Sequence, residues 1–226
     1  MLPGRFLDHA HSALHHFRGK LGRFAFHSSI LSNVGASQIS GPVQYAGAWA
    51  STIKWTRDAG GGGNVELDLY AGKRGEVTAD ISYDAGVLAY VYADNGLKHV
   101  PGFANANTTE LYGQLGYGPA TLRYSHSVTN LFGFIDSKNS GYLDLSANID
   151  ASPGWAVNLH AGRQKVRHNS HADYSDWKVG VTRGLGFASL SLAAVGTNAD
   201  KNAYASPANG KFMGKNALQA TLGKTF

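Results

Sequence analysis

The chain has 226 residues, no cysteine, 15% charged residues and a formal net charge of +5. That length suits one domain; the plentiful aliphatic and aromatic residues exclude a disordered chain, and the missing cysteines exclude a disulfide framework, a thiolate metal site and a cysteine nucleophile. No apolar run reaches the roughly 18 residues of a membrane helix, which leaves open a membrane barrel, whose strands show lipid only every second residue.

Residues 1–23 stand apart from the rest. Arg5, Arg18, Lys20 and Arg23 lie among His9, His11, His15 and His16 without any alternation. An exported protein is expected to begin with an apolar run of about 7 to 15 residues and a small-residue cleavage site. This tract has neither, so it is expected to lie outside the domain at 24–226, with the start displaced. His11 and His15 are one helical turn apart and could hold a metal. A solvated basic tail is the plainer expectation, and no metal site is assigned. The basic residues are not interleaved with stacking aromatics, which argues against nucleic acid as a partner.

From Phe24 to Val34 the strand signal is weak, and from Val43 it sharpens. Val43, Tyr45, Trp49, Ile53 and Trp55 are expected on a dry face opposite Gln44, Ala46, Ala48, Ala50, Thr52 and Lys54. Val65, Leu67, Leu69 and Ala71 oppose Glu66, Asp68, Tyr70 and Gly72. A tight turn at Arg74 and Gly75 is expected to lead into Val77, Ala79, Ile81 and Tyr83, opposite Thr78, Asp80, Ser82 and Asp84, in a strand running on through Tyr90 and Tyr92. The pattern recurs at 108–117, 120–130, 141–150, 155–165, 174–183, 187–197 and 216–226, ten strands in all. In the last one, Phe226, Lys224, Leu222, Ala220 and Leu218 alternate with Thr225, Gly223, Thr221, Gln219 and Ala217. A strand this clean at a chain end invites edge aggregation unless it pairs with the first strand.

Connection lengths alternate. Long loops at 56–63, 93–107, 131–140, 166–173 and 198–215 take turns with short ones at 74–75, 118–119, 151–154 and 184–186. Outer-membrane barrels have short periplasmic turns and longer extracellular loops. The fold expected is therefore an all-β, antiparallel, transmembrane up-and-down β-barrel of 10 to 12 strands in the outer membrane of a Gram-negative bacterium, with outer-membrane lipid against its dry face. Tyr45, Trp55, Tyr117, Trp155, Trp177 and Phe226 fall near strand ends, where interfacial aromatic girdles belong.

The wet parity then defines a lumen. Its expected lining is Lys54, Glu66, Asp68, Asp80, Asp84, Glu110, Arg123, Asp144, Asp176 and Lys178, together with Arg74. An excess of carboxylates favours cations. The reading that follows is a porin for small polar solutes or ions; a side-chain-filled, non-conducting barrel is the alternative. An outer-membrane enzyme would need a Ser and a His on one face, and His126 and Ser127, as neighbours, point to opposite faces. His171, Asp173 and Asp176 could form a loop acid–base group, yet no serine faces them, so no catalytic residue and no cofactor are assigned. His160 reads as a lumen hydrogen-bonding residue. Gly60–Gly63 lacks a following Lys-Ser/Thr and reads as a flexible loop, not a phosphate cradle. A soluble ligand-binding barrel would put the aliphatic parity inside, the reverse arrangement.

Several stretches together resemble the TorF family of proteobacterial porins: Tyr45-Ala-Gly-Ala-Trp49-Ala-Ser51, Val65-Glu-Leu-Asp-Leu-Tyr-Ala-Gly72, Asn107-Thr-Thr-Glu-Leu-Tyr112, Asp173-Tyr-Ser-Asp-Trp-Lys-Val-Gly180 and Gly223-Lys-Thr-Phe226, supported by Tyr83-Asp-Ala-Gly-Val-Leu88, Ser140-Gly-Tyr-Leu143 and Gly162-Arg-Gln164. The resemblance covers Val43 to Phe226. It implies a twelve-stranded outer-membrane barrel assigned to passive transport, and it implies that Phe226 is the terminal signal read by the barrel-assembly machinery. The chain departs from that family at its beginning, where Gly35-Ala-Ser-Gln38 runs almost directly into Val43, about one strand short.

Overall fold

Where the sequence alternates, the backbone of the computed structural model is extended; it describes residues 21–24, 34–40, 44–206, 209–212 and 214–225. The strands are β1 (Leu21–Phe24), β2 (Val34–Ser40), β3 (Gln44–Thr52), β4 (Val65–Glu76), β5 (Ile81–Ala93), β6 (Thr108–Tyr117), β7 (Ala120–Ser127), β8 (Gly141–Ser152), β9 (Trp155–Lys165), β10 (Tyr174–Gly184), β11 (Ser189–Thr197) and β12 (Ala217–Thr225). The ten strands β3 to β12 each pair antiparallel with their sequence neighbours, giving one up-and-down sheet. At its two edges the ladder carries on: β2 sets Gly35 opposite Ala50 of β3, and β1 sets Leu21 opposite Thr225 and Arg23 opposite Val34. Phe226 lies outside the described residues, as do most of 1–23 and of Phe24–Val34. No helix among the described residues is long and apolar enough to cross a membrane.

Short turns at one end of the sheet and long connections at the other set its polarity. Gly118 (φ 54) and Gly154 (φ 76) supply the left-handed backbone that tight hairpins need. The turn expected at Arg74 and Gly75 is instead at 77–80. Residues 74 and 75 remain in β4, opposite Asp84 and Tyr83. The Thr78 Oγ accepts hydrogen bonds from the backbone N–H groups of Asp80 and Ile81, which stabilises the four-residue reversal at 77–80.

The two faces of the sheet are chemically inverted relative to a soluble sandwich. Leu115, Val179 and Leu192 are more than half exposed (56, 52 and 53%), and so is Leu145 (53%). On the opposite parity Glu110, Asp68, Asp144 and Asp176 are between 1 and 4% exposed. At about 25 cal/mol per Å² of apolar area, such a face is a large liability in water.

A compact apolar core exists, but it sits at the long-connection end and not between layers. Leu97, Leu131, Phe132, Phe134, Val166, Ala172 and Tyr204 come from the long connections and pack on Tyr90, Tyr92, Tyr142 and Tyr174, the polar-face aromatics nearest that end. The connections thereby form a cap over one end of the polar face.

Candidate functional site

The polar face is built from alternate residues of neighbouring strands, so its chemistry follows from register. Across β5 to β10, Asp84 lies opposite Gln114, Gln114 opposite Arg123, Arg123 opposite Asp144, and Asp144 and Asp176 each opposite Gly162. Nearer the cap, Glu110 lies opposite Ser127 and Asp68 opposite Tyr90. Every second strand from β4 to β10 thus contributes a carboxylate within its first four residues, immediately beneath the cap.

Between β8 and β10 these carboxylates are tied to one imidazole. His160 Nε2 lies 2.9 Å from Asp176 Oδ2, and its Nδ1 lies 3.3 Å from Asp144 Oδ2. Ser146 Oγ donates to Asp144 Oδ1 at 2.6 Å, and the Tyr142 hydroxyl donates to Asp176 Oδ1 at 3.0 Å. Ser146, His160 and Asp176 occur in the order of a hydrolytic triad, with Ser146 Oγ 3.2 Å from His160 Nδ1. The geometry is not that of an activated nucleophile, since the serine proton is directed at Asp144 and both ring nitrogens are engaged by carboxylates. The group reads as an ionic clasp across three strands.

A second layer is aromatic. The Tyr45 hydroxyl donates to Asp84 Oδ1 at 2.5 Å and also meets the Tyr112 hydroxyl. A side chain at Gly72 or Gly86 would collide with those two tyrosines, which explains glycine at both positions. The Arg123 guanidinium stacks 3.8 Å over the Tyr112 ring and that of Arg74 5.0 Å over Tyr45. Toward the short-turn end the wall becomes more exposed. There Asn158 Nδ2 donates to Asn148 Oδ1 at 2.7 Å, and the Thr182 hydroxyl donates to Asn158 Oδ1 at 2.7 Å.

The cap is held by hydrogen bonds from each long connection to the next. Gly96 N–H donates to the Gly61 carbonyl at 2.6 Å, and Ala104 N–H to that of Gly133 at 2.8 Å. The Asn169 amide donates to the Ile135 carbonyl at 2.9 Å, and the Tyr204 hydroxyl to that of Ala172 at 2.6 Å. Gly61 must be glycine, because any Cβ would strike the Leu97 backbone. Burial pushes the Tyr204 phenol above its ordinary pKa, and backbone N–H groups of Ala203 and Asn202 hold exposed Asp200 below the usual carboxylate value.

Of the residues expected to line a lumen, Glu66, Asp68, Glu110, Asp144 and Asp176 are buried on the polar face, and Asp84, Arg123 and Lys178 are half-buried there. Two lie elsewhere. Asp80 is exposed in the 77–80 turn, because β4 runs longer than expected, and Lys54 is exposed beyond β3, just before the one-turn helix Trp55–Asp58. The parity expected for β3 is reversed as well. Tyr45 and Ser51 are buried on the polar face while Ala46 and Thr52 are exposed, and Trp55 packs edge-on against Tyr92 in the cap. Tyr45 and Trp55 are therefore not girdle residues, whereas Tyr117, Trp155 and Trp177 are exposed on the apolar face. His126 pairs with Asn139 and buried Ser127 with the Thr129 carbonyl, so the two do not meet. Asp173 accepts from Val166 N–H, apart from Asp176 in the clasp. Sequence reasoning missed the clasp and the cap; the run of apolar residues inside nominal loops, Leu131, Phe132 and Phe134 among them, was the available signal.

Comparison with known proteins gives two matches. A family model described as "Bacterial protein of unknown function (Gcw_chp)" matches residues 27–226. A solved chain, from work on "Unveiling the Mechanism Behind the in-meso Crystallization of Membrane Proteins", is similar with a TM-score of 0.52 at 8% identity, over 92% of this chain and 83% of that one. At that identity the likeness concerns the fold alone. No curated protein matches.

Proposed function

This chain belongs to the bacterial family of unknown function (Gcw_chp), and we propose that it is an outer-membrane β-barrel through which small polar solutes or ions pass. The observation that carries the reading is the inverted sheet, with leucines and valines outward and carboxylates inward. In the proposed form β1 and β2 close the sheet into a twelve-stranded barrel, and the polar face becomes its lumen. Hydrocarbon removes the liability of the apolar face, and closure removes the open edges. Strand lengths support it: of the ten strands β3 to β12, all but the 8-residue β7 have 9 to 13 residues, against the roughly 9 to 11 that a tilted membrane strand needs. So does the resemblance to TorF-family porins. Outer-membrane lipid and, through Phe226, the barrel-assembly machinery belong to the same proposal.

A lumen edged by Asp68, Asp84 and Glu110 favours cations. In planar bilayers the full chain is expected to give a cation-selective conductance, shifted toward anions when these three are replaced by Lys. An unchanged reversal potential would remove them from the path. The cap favours a second reading, a barrel that does not conduct, because an apolar core stands across one end. Silence from the wild type and from the cap-loosening variants Leu97→Ala and Phe132→Ala would select it.

A further inference from the structure

We infer that the apolar face of the sheet carries, at its long-connection end on β7 to β9, a binding site for the phosphate groups of a membrane lipid's headgroup. The inference rests on the membrane reading above and goes beyond it by naming a lipid chemistry and the residues that take it. The first support is the distribution of charge over that face. The carboxylates of β3 to β12 all fall on the opposite parity, from Glu66 in β4 to Asp176 in β10. Among the described strands, outward cations therefore have no carboxylate on their own face. At the long-connection end these cations are Arg163 and Lys165 of β9, both exposed.

Register gathers the patch. Lys165 lies opposite Gly141, and Gly141 opposite His126. One step toward the middle of the strands, Arg163 lies opposite Leu143 and Ser175, and Leu143 opposite Tyr124. Gly141 has no side chain, and the Tyr124 hydroxyl lies where its Cβ would be, so a phenol fills the gap between His126 and Lys165. Arg163 Nη1 donates to Ser175 Oγ at 3.1 Å, and His126 Nε2 lies 3.2 Å from Asn139 Oδ1, both neutral partners. In the adjoining connections Asp136 is engaged by His168 at 2.8 Å and Asp173 by the Val166 N–H, while Lys138 and Arg167 are exposed.

Depth supplies the second support. Lys165 stands five residues and Arg163 three from the middle of β9. At about 3.4 Å per residue and a tilt near 40°, that is about 13 and 8 Å from the midplane of an apolar band about 25 Å tall. Lys165 is thus at the edge of the band and Arg163 inside it, reaching the edge only along its stem. A cation so placed is costly without an anion, and the anions at that level of a bilayer are lipid phosphates. A guanidinium takes two phosphate oxygens at once, and an ammonium adds a point charge beside it. Leu143, Leu145 and Trp177 continue the same exposed face below the cations, where the acyl chains of the same lipid would lie. That continuity favours a lipid over a free phosphate.

The full chain, refolded in detergent, is probed by native mass spectrometry with a bisphosphorylated lipid A and with the same lipid after removal of its phosphates. The phosphorylated lipid is expected to be retained about tenfold more, the least that charge-assisted bonds from two cations should give. Arg163→Gln with Lys165→Gln is expected to lose that preference, and Arg163→Lys with Lys165→Arg, which keeps both charges, to retain most of it. Lys73→Gln with Arg183→Gln removes two outward cations at the short-turn end, opposite Gln44 and Trp155, and should leave it unchanged. Equal retention of the two lipids, or an equal loss in the short-turn variant, would overturn the site. Excess inorganic phosphate that strips the lipid would overturn the lipid assignment in favour of a free anion. Flotation with phosphatidylcholine vesicles separates the two readings. A chain that floats yet shows no phosphate preference keeps the membrane reading and defeats the site, whereas a chain that floats with no vesicle defeats the membrane reading itself.

Discussion

Replacing Val179 with Arg tests which solvent meets the apolar face. Val179 lies in β10, five residues from either end, flanked by Leu159 and Ala194 on the neighbouring strands, and is 52% exposed. Five residues at about 3.4 Å each give roughly 17 Å along the strand, or about 13 Å along the membrane normal at a tilt near 40°. In an apolar band about 25 Å tall that is the midplane, where Arg costs about 2–4 kcal/mol. Phe187, 71% exposed in the turn after β10, provides the control, since at the interface the same change costs about 0–1 kcal/mol. Denaturant unfolding in lipid vesicles, followed by tryptophan fluorescence, gives both values. In water each substitution would fall within about 0.5 kcal/mol of zero. Two small and equal effects would therefore refute the membrane assignment.

Other expectations concern the clasp and the cap. His160→Ala should destabilise the sheet by about 3–5 kcal/mol, because Asp144 and Asp176 lose their shared partner while buried; adding Asp144→Asn and Asp176→Asn should recover much of that, as measured by unfolding. Leu97→Ala removes a side chain that is 0% exposed and should cost about 2–5 kcal/mol locally, read as faster amide exchange at Ala104 and Gly96 with little change in the strands. Tyr204 should make the cap alkali-sensitive: its folded pKa is raised by burial, so its contribution is complete below the unfolded value of about 10 and is lost as pH rises above it. Tyr204→Phe should abolish that step while costing about 1 kcal/mol from the lost bond to Ala172; a step that persists would exclude this phenol as its source.

Period-2 alternation and the alternating connection lengths carried ten of the strands into view, because both are local properties of the chain. What failed was the side to which β3 points. Tyr45 and Trp49 look like lipid-facing aromatics, and the opposite parity, Ala46, Ala48 and Ala50, is apolar too, so neither face declares itself by hydropathy. The structure settles it through partners that are distant in sequence: the Tyr45 hydroxyl bonds Asp84 and meets Tyr112. The shifted turn at 77–80 escaped notice for a related reason. A four-residue reversal preserves parity, so Ile81 and Tyr83 kept their expected face although Asp80 left the wall. The clasp was illegible for want of register, since Asp144, His160 and Asp176 converge only once β8, β9 and β10 are paired.

Burial of carboxylates and exposure of leucines are two sides of one arrangement. A charged group removed from water persists as an ion only if it is paired and hydrogen-bonded, and the clasp meets that demand with one imidazole, one serine and one tyrosine for two aspartates. The cap above it shields that end from water by packing apolar side chains, so interactions in the wall are stronger than at a surface. In the proposed channel, cations entering from the short-turn end would meet these carboxylates, and their attraction is screened as ionic strength rises. Cation selectivity in planar bilayers should therefore weaken with salt as the Debye length shrinks from about 10 Å at 0.1 M to about 3 Å at 1 M. A selectivity that does not change with salt would mean that these carboxylates do not face the path.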